Sequence, residues 1–532
     1  MKFTLLIIIS LLYNQHFIYD DEDWFTLSSP GKVTSITTTN DEVLFSSENG
    51  IYTCNKYNYE LEFIEDYVRK FNSDSYHMIH YDEYRDYLWL LKDDNLSYRP
   101  YLSTFWRDID FYEIGLNNHN NIINIGSNID YLFINIGTNV IVLNPYTGRL
   151  ITDEVDNYDE INWTSTSRNL LSHNFDLTSF HSFEGYSFVS NHQVEYDGRF
   201  LEVTSITKDG SYIWVGTNSG EIFLCDINLK SVDKIESMPL FSNINLSYID
   251  NQEEWWFSTS DYIISYDDML LNNDQIFIIR WIEEDNKWIT YNQKKYFNIT
   301  SNDITSFYRL ENYLYVGTNH GLLIYNIDRD KWSLLDINDG LKSNYISDLE
   351  YFNNDLYVVT NEGISVISTF GNKIIKNNNF KSLDNAVIKD IYIEDDRFLI
   401  IVDKGILEYI PSSGSFEIII EGYYEEVLID DSSNLILSKR NKIFKFNPVE
   451  NKKILIKHIK NIHDISLCNN YLWINSTKKA ILLNMKSNEE YEYDNDDGLA
   501  GSIINHLDCD NEWVWFSTDK GLTFYNWGKY YK

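Results

Sequence analysis

The chain has 532 residues and a formal net charge of −38, with 43 Lys+Arg against 81 Asp+Glu. Its 43% apolar and 16% aromatic content is a folding composition, which excludes a disordered chain, and the acidic balance excludes a nucleic-acid backbone binder. Four cysteines are too few for a dense disulfide framework, so the expected product is a large, acidic, aromatic-rich globular protein.

At the N-terminus Lys2 precedes an apolar run from Phe3 to Leu12. The run suits a signal-peptide core and falls short of the roughly 20 residues that span a membrane. Residues 1–16 are expected to be a signal peptide, and the protein to be exported to the periplasm or the outer cell surface. No later segment reaches spanning length. The next phrase, Asp23-Trp24-Phe25-Thr26-Leu27, resembles two later ones, Lys287-Trp288-Ile289-Thr290-Tyr291 and Lys331-Trp332-Ser333-Leu334-Leu335. Those later phrases read as outer strands of a repeat. Residues 23–27 are therefore expected to complete the last repeat as a clasp. The N- and C-terminal units would then share a ring, leaving the first ring discontinuous.

From Val43 onward one phrase recurs: an aromatic-centred strand, a polar turn, and a second strand ending in Tyr or Asn. Clear copies are YIWVGTNSGEIFLCD from Tyr212, YLYVGTNHGLLIYN from Tyr313, DLYVVTNEGISVI from Asp355 and WVWFSTDKGLTFYN from Trp513. The central positions are Phe45, Trp89, Phe133, Trp214, Trp256, Tyr315, Tyr357, Leu399, Ile436, Trp473 and Trp515. Their spacings are 44, 44, 81, 42, 59, 42, 42, 37, 37 and 42 residues. A period near 40 with four short strands per unit is the signature of a β-propeller blade. In YLYVGTNHGLLIYN the turn is Thr318-Asn319-His320-Gly321, with Gly321 at the position that needs φ > 0. An all-β tandem β-propeller follows, with 11–12 four-stranded blades in two rings. The partition expected is 20–270 for the first ring, with closure by C-terminal strands as an option, and 271–532 for the second.

Several residues along the chain carry possible chemistry. His77 and His80, with Asp82 and Glu83 close by, invite a metal reading. On a strand, however, a spacing of three sends the two imidazoles to opposite faces, so no metal is expected there. Asp153 to Arg199 breaks the repeat inside the 81-residue interval, and long loops of a scaffold carry function. Its Trp163, His173, Phe180, His181, Phe183, Tyr186, Phe188 and His192 are the candidate binding residues, because amphipathic rings stack on sugars or partner side chains. Asp267 to Asn302 is a second long interval. Cys468 and Cys509 hold similar places in neighbouring units; the reading favours two unbridged cysteines, with Cys54 and Cys225 as small strand residues. Asp494-Asn495-Asp496-Asp497-Gly498 lacks the ligand alternation of an EF-hand loop and reads as a structural turn, like Asp339-Gly340-Leu341.

These phrases resemble the two-component regulator propeller repeat family. The resemblance rests on Ile213-Trp214-Val215-Gly216-Thr217, on Tyr315-Val316-Gly317-Thr318, and on the inter-blade turns Asp339-Gly340-Leu341 and Asp497-Gly498-Leu499. Trp24, Thr34-Ser35-Ile36 and the Glu48-Asn49-Gly50 turn are similar to the first blade of the double-propeller component of the type IX secretion system. The resemblance implies the tandem fold and an envelope location; kinase activity does not carry over.

No GxSxG elbow, HExxH, phosphate-binding glycine loop or CxxC occurs. No catalytic residue, cofactor or metal is expected. The function expected is that of a non-enzymatic binding scaffold recognising an envelope or secretion-system protein or a glycan. A propeller-fold polysaccharide lyase or hydrolase is the alternative.

Overall fold

The computed structural model describes residues 23–531 apart from 29, 49, 60, 64–75, 104, 154, 156–157, 159, 169, 171–175, 183–184, 197–198, 236–242, 262–274, 283–286, 293–303, 395–396, 477 and 502. The leader expected at 1–16 lies outside the described residues, as do His173 and Phe183. The fold is an all-β tandem propeller. The described residues form eleven antiparallel sheets, most of them four-stranded. Each sheet carries one of the eleven central residues in its second strand, and all eleven are buried.

The blade from Ile304 to Leu335 shows how the phrase works. Ile304–Leu310 pairs with Tyr313–Thr318, which pairs with Gly321–Asn326, which pairs with the outer strand Lys331–Leu335. Alternating Leu314, Val316, Leu323 and Tyr325 fall into one buried cluster with Trp332. Tyr315, Leu322 and Ile324 fall into another, with Leu349 and Val358 of the following sheet. Both faces are therefore apolar, as stacked sheets require. The hairpin is fixed by its own residues: Thr318 Oγ1 donates to the Gly321 carbonyl at 2.7 Å, and Gly321 adopts φ 129°. Thr360 to Gly363 and Thr518 to Gly521 repeat the same bond. The terminal Asn of the phrase caps the next turn, as Asn326 does for the Arg329 amide at 2.9 Å.

An innermost strand has a free edge, and side chains of the neighbouring inner strand satisfy it. Ser35 Oγ accepts from the Ile79 amide at 2.8 Å, and Thr37 Oγ1 from the Tyr81 amide at 3.1 Å. Asp348 Oδ2 accepts from the Ile391 amide at 3.2 Å, and Asp464 Oδ2 from the Leu507 amide at 2.9 Å.

Two compact units are present. One holds the described residues of Met1–Thr26, Glu425–Phe516 and Leu522–Lys532; the other holds Leu27–Tyr424 with Ser517–Gly521. The clasp expected at 23–27 forms: Trp24–Leu27 is the outer strand beside Gly521–Tyr525 in the sheet that continues to Ile504–Cys509. The described residues of the 81-residue interval form no separate sheet. Tyr186–Ser190 and Gln193–Tyr196 extend the sheet of Arg199–Asp209 to six strands, and Asn162–Trp163 and Ser165–Thr166 join two other sheets. The second long interval supplies Gln275–Ile282 and the outer strand Lys287–Asn292 that its Trp-containing phrase predicts.

Candidate functional site

The candidate loop residues do not form one exposed surface. Trp163 lies on a short strand that runs inside the larger unit. That segment pairs with Asn124–Ser127 through Gly126 and Trp163, and with Val33–Thr38 through Ile36 and Ser165. Thr164 Oγ1 bonds His80 Nδ1 at 2.7 Å, and Ser165 Oγ accepts from the Ile206 amide at 3.2 Å. Residues 162–166 therefore bond to residues of four inner strands and tie them together. The Trp163 ring occupies the space where a side chain at Gly126 would stand, which accounts for a glycine in that strand. Phe180, Tyr186 and Phe188 are buried in a core with Phe223 and Val232, where no ligand can stack on them. The Tyr186 hydroxyl donates to the Val232 carbonyl, and Lys230 Nζ lies 4.7 Å from the Phe180 ring centre. His181 and His192 are exposed, and His181 bridges to Ser231 through the backbone.

The histidines near residue 80 separate as the strand spacing demands. His80 is buried between Thr164 and Ser127, whose Oγ lies 2.9 Å from its Nε2. Burial pushes its pKa down to about 3, so it is a neutral structural group. Asp82 pairs with Arg85 at 2.9 Å; burial raises its carboxyl and Arg85 opposes that rise. His77 instead meets two residues the spacing did not reveal. Its Nε2 lies 2.7 Å from Asp93 Oδ1, and its ring stacks on His119 with centres 3.7 Å apart and planes 11° from parallel.

Carboxylates gather on the inner strands Ile346–Phe352 and Ile388–Glu394. Burial, then the charge of Asp390, raises Asp348 well above the usual carboxylate range, and burial pushes Glu350 up to about 7. Paired carboxylates are what a hydrolase would need, yet Asp348 already accepts the Ile391 amide. In the smaller unit Asp464 is bonded to His506 Nδ1 at 2.8 Å, and the Ser466 hydroxyl donates to Asp508 rather than to His506. Burial lowers the His506 pKa, but Asp464 and the neighbouring acids outweigh it and hold the imidazole above its ordinary value.

Cys468 and Cys509 form a disulfide, contrary to the expectation of two unbridged cysteines. They end successive inner strands at matching positions, with Cα atoms 6.1 Å apart, inside the bridging range. Cys54 and Cys225 are buried and free. Asp494–Gly498 is a turn: Asp497 Oδ2 accepts from the Asp494 amide at 3.0 Å, and Asp339 Oδ2 accepts from Asp336 in the same way.

A cleft of 720 Å³ opens in the smaller unit. The Asn469–Asn470 turn, Asn484 at the end of a strand, Asn511 in a turn and Asn526 near the C-terminus line it, together with the half-buried Tyr471 and the charged Lys486, Glu512 and Lys529. Asn469 Nδ2 donates to Asn511 Oδ1 at 2.8 Å, fixing two of the amides. An amide side chain carries two donors and an acceptor, a set that matches vicinal hydroxyls beside an aromatic ring; here Asn484 Oδ1 is already engaged by the Lys486 and Ser487 amides. In the sequence Asn484 and Asn526 end repeat phrases while Asn469, Asn470 and Asn511 sit in the turns before them, and each reads as an ordinary turn residue. Only the fold brings them together.

No protein-family model matches the sequence, and no curated protein matches it significantly. Solved structures do share the fold. PorZ, described as an essential bacterial surface component of the type IX secretion system of Porphyromonas gingivalis, is similar at a TM-score of 0.59 and 11% identity. That similarity covers 95% of this chain and 87% of PorZ. The extracellular domain of a putative one-component system of B. thetaiotaomicron is similar at a TM-score of 0.41 and 14% identity, covering 92% of this chain and 74% of that one. The extracellular domain of a putative hybrid two-component system of the same organism has a TM-score of 0.36 and 16% identity, over 94% and 82% of the two chains. The likeness to PorZ shows the shared tandem-propeller fold. No helix among the described residues is long and apolar enough to cross a membrane.

Proposed function

We propose that this chain is an exported, non-enzymatic β-propeller binding protein of the cell envelope, and that it takes a neutral glycan in the amide-lined cleft. The observation that carries the reading is the convergence of five asparagines and Tyr471 on one cleft. The likeness to a bacterial surface component over most of both chains supports the envelope location. The structural use of the inner-strand acids supports binding over catalysis, since Asp348 and Asp464 satisfy backbone amides of the next strand. The net charge of −38 disfavours polyanionic ligands and fits an uncharged one.

A protein partner is the second reading, and a separate observation favours it. Leu102, Phe105 and Tyr112 are 89%, 82% and 88% exposed on the second blade, within eleven residues of one another. Exposed large apolar groups of this kind mark association surfaces when they lie together.

Calorimetric titration of the full chain with neutral hexose and N-acetylhexosamine oligosaccharides tests the glycan reading. Asn470→Ala is expected to weaken binding about tenfold, the worth of one or two lost hydrogen bonds. Leu102→Ser should leave it unchanged. Absence of binding to every oligosaccharide, or equal binding by Asn470→Ala, would contradict the reading.

A further inference from the structure

Three side chains that are far apart in sequence meet at one end of the second blade. His77 immediately precedes the inner strand Met78–Asp82; Asp93 sits in the hairpin between Tyr87–Leu91 and Asn95–Pro100; His119 opens the short helix His119–Asn121 ahead of Asn124–Ser127. One ligand atom from each lies within 4.8 Å of the other two. His77 Nε2 is 2.7 Å from Asp93 Oδ1, and His119 Nδ1 is 3.7 Å from the same oxygen. His119 Nδ1 also lies 3.1 Å from the Asp93 backbone carbonyl. All three residues are half-buried, so an ion there would be partly screened from water yet reachable.

We propose that His77, Asp93 and His119 form a binding site for a divalent transition-metal ion, with Zn(II) the best match. Two imidazole nitrogens and one carboxylate oxygen are a donor set that suits Zn(II) at roughly 2.0–2.2 Å per bond. Tetrahedral ligands at that length sit about 3.3 Å apart. The two separations from Asp93 Oδ1 bracket that value; binding requires the stacked imidazoles, now 11° from parallel, to turn apart so that both nitrogens face one ion, releasing their protons and their hydrogen bonds to Asp93. Ca(II) and Mg(II) are disfavoured, because they take oxygen ligands. Three protein ligands leave at least one coordination position, open to water or to a donor from a bound partner.

The surrounding backbone holds the ligands in place. The His77 amide donates to the Leu91 carbonyl at 2.9 Å, tying the first ligand to the hairpin that bears the second. Asn118 caps the helix of the third by accepting the Asn120 amide at 3.0 Å. Arg168 Nη1 donates to the Asn120 and Ile122 carbonyls at 2.6 and 3.0 Å, which pins the same turn. Its positive charge opposes a cation nearby but is turned onto these two carbonyls. Lys92 is directed to Asp108, 3.9 Å away.

The test uses the full chain purified without a histidine tag and titrated with Co(II) and Zn(II). One equivalent of Co(II) is expected to give visible d–d absorption, displaced by one equivalent of Zn(II). Asp93→Asn and His119→Ala should each weaken Zn(II) binding at least tenfold in competition with a chromophoric chelator. His458→Ala, an exposed histidine elsewhere, should leave it unchanged. Thermal melts of the metal-free variants show whether each still folds; where His119→Ala does not, Asp93→Asn carries the test. Absence of stoichiometric binding by the wild-type chain, or unchanged affinity in folded Asp93→Asn, overturns the proposal.

Discussion

Trp24 stacks on Tyr525, with ring centres 4.2 Å apart and planes 13° from parallel. An aromatic near the start of the described chain thereby joins one near its end. Trp24 also stacks on Phe516 and belongs to a buried cluster with Trp473, Tyr493 and Trp527. Gly498 faces it at φ 123°, where an added Cβ would stand 2.9 Å from Trp24 Cγ.

Trp24→Ala removes this packing without touching the backbone bonds of the clasp. Loss of about 3–5 kcal/mol is expected, the usual cost of emptying a large aromatic site. Chemical denaturation followed by tryptophan fluorescence and far-UV dichroism measures it. A loss below about 1 kcal/mol would show that the clasp contributes little.

The Cys468–Cys509 bridge closes a loop with a sequence separation of 41. The chain-entropy relation gives about 4 kcal/mol of stabilisation for a loop of that size. The double variant Cys468→Ser, Cys509→Ser should unfold at distinctly lower denaturant. Alkylation of the denatured, unreduced chain should modify only Cys54 and Cys225. Four modified cysteines would contradict the pairing.

The fold was legible because one phrase recurs eleven times, with the hairpin glycine in place in six of the copies. Residues 23–27 were readable as a clasp because they repeat the outer-strand phrase. The disulfide was half-visible: matching positions pointed to proximity, but only neighbouring inner strands at 6.1 Å show that the pair closes. Phe180, Tyr186 and Phe188 misled, because an insertion rich in aromatics also needs a core of its own. The pairing of residues 162–166 with inner strands was hidden in an aperiodic stretch. His77, Asp93 and His119 were hidden by distance, since their sequence separations mean nothing until blades two and three stack.

Glu350 supplies a pH prediction. Burial raises its carboxyl from an ordinary value of 4.5 to about 7 in the folded chain. Between those values the native state holds more protons than the unfolded state, so stability falls as pH rises. Glu350 burial thus costs nothing below about pH 4, and its full cost is reached above about pH 7. Melting temperatures of Glu350→Gln and wild type should diverge progressively from pH 4 to pH 7, with the variant higher at pH 7. Parallel curves over that range would show that the carboxyl is not perturbed.

Binding without turnover is tested most directly by incubating the full chain with an oligosaccharide it retains, then analysing the recovered sugar by mass spectrometry. The expected result is saturable binding abolished or weakened by Asn470→Ala, with the sugar recovered at its original mass. Shortened or unsaturated products that disappear in Glu350→Gln or Asp390→Asn would contradict it and make the chain a propeller-fold hydrolase or lyase.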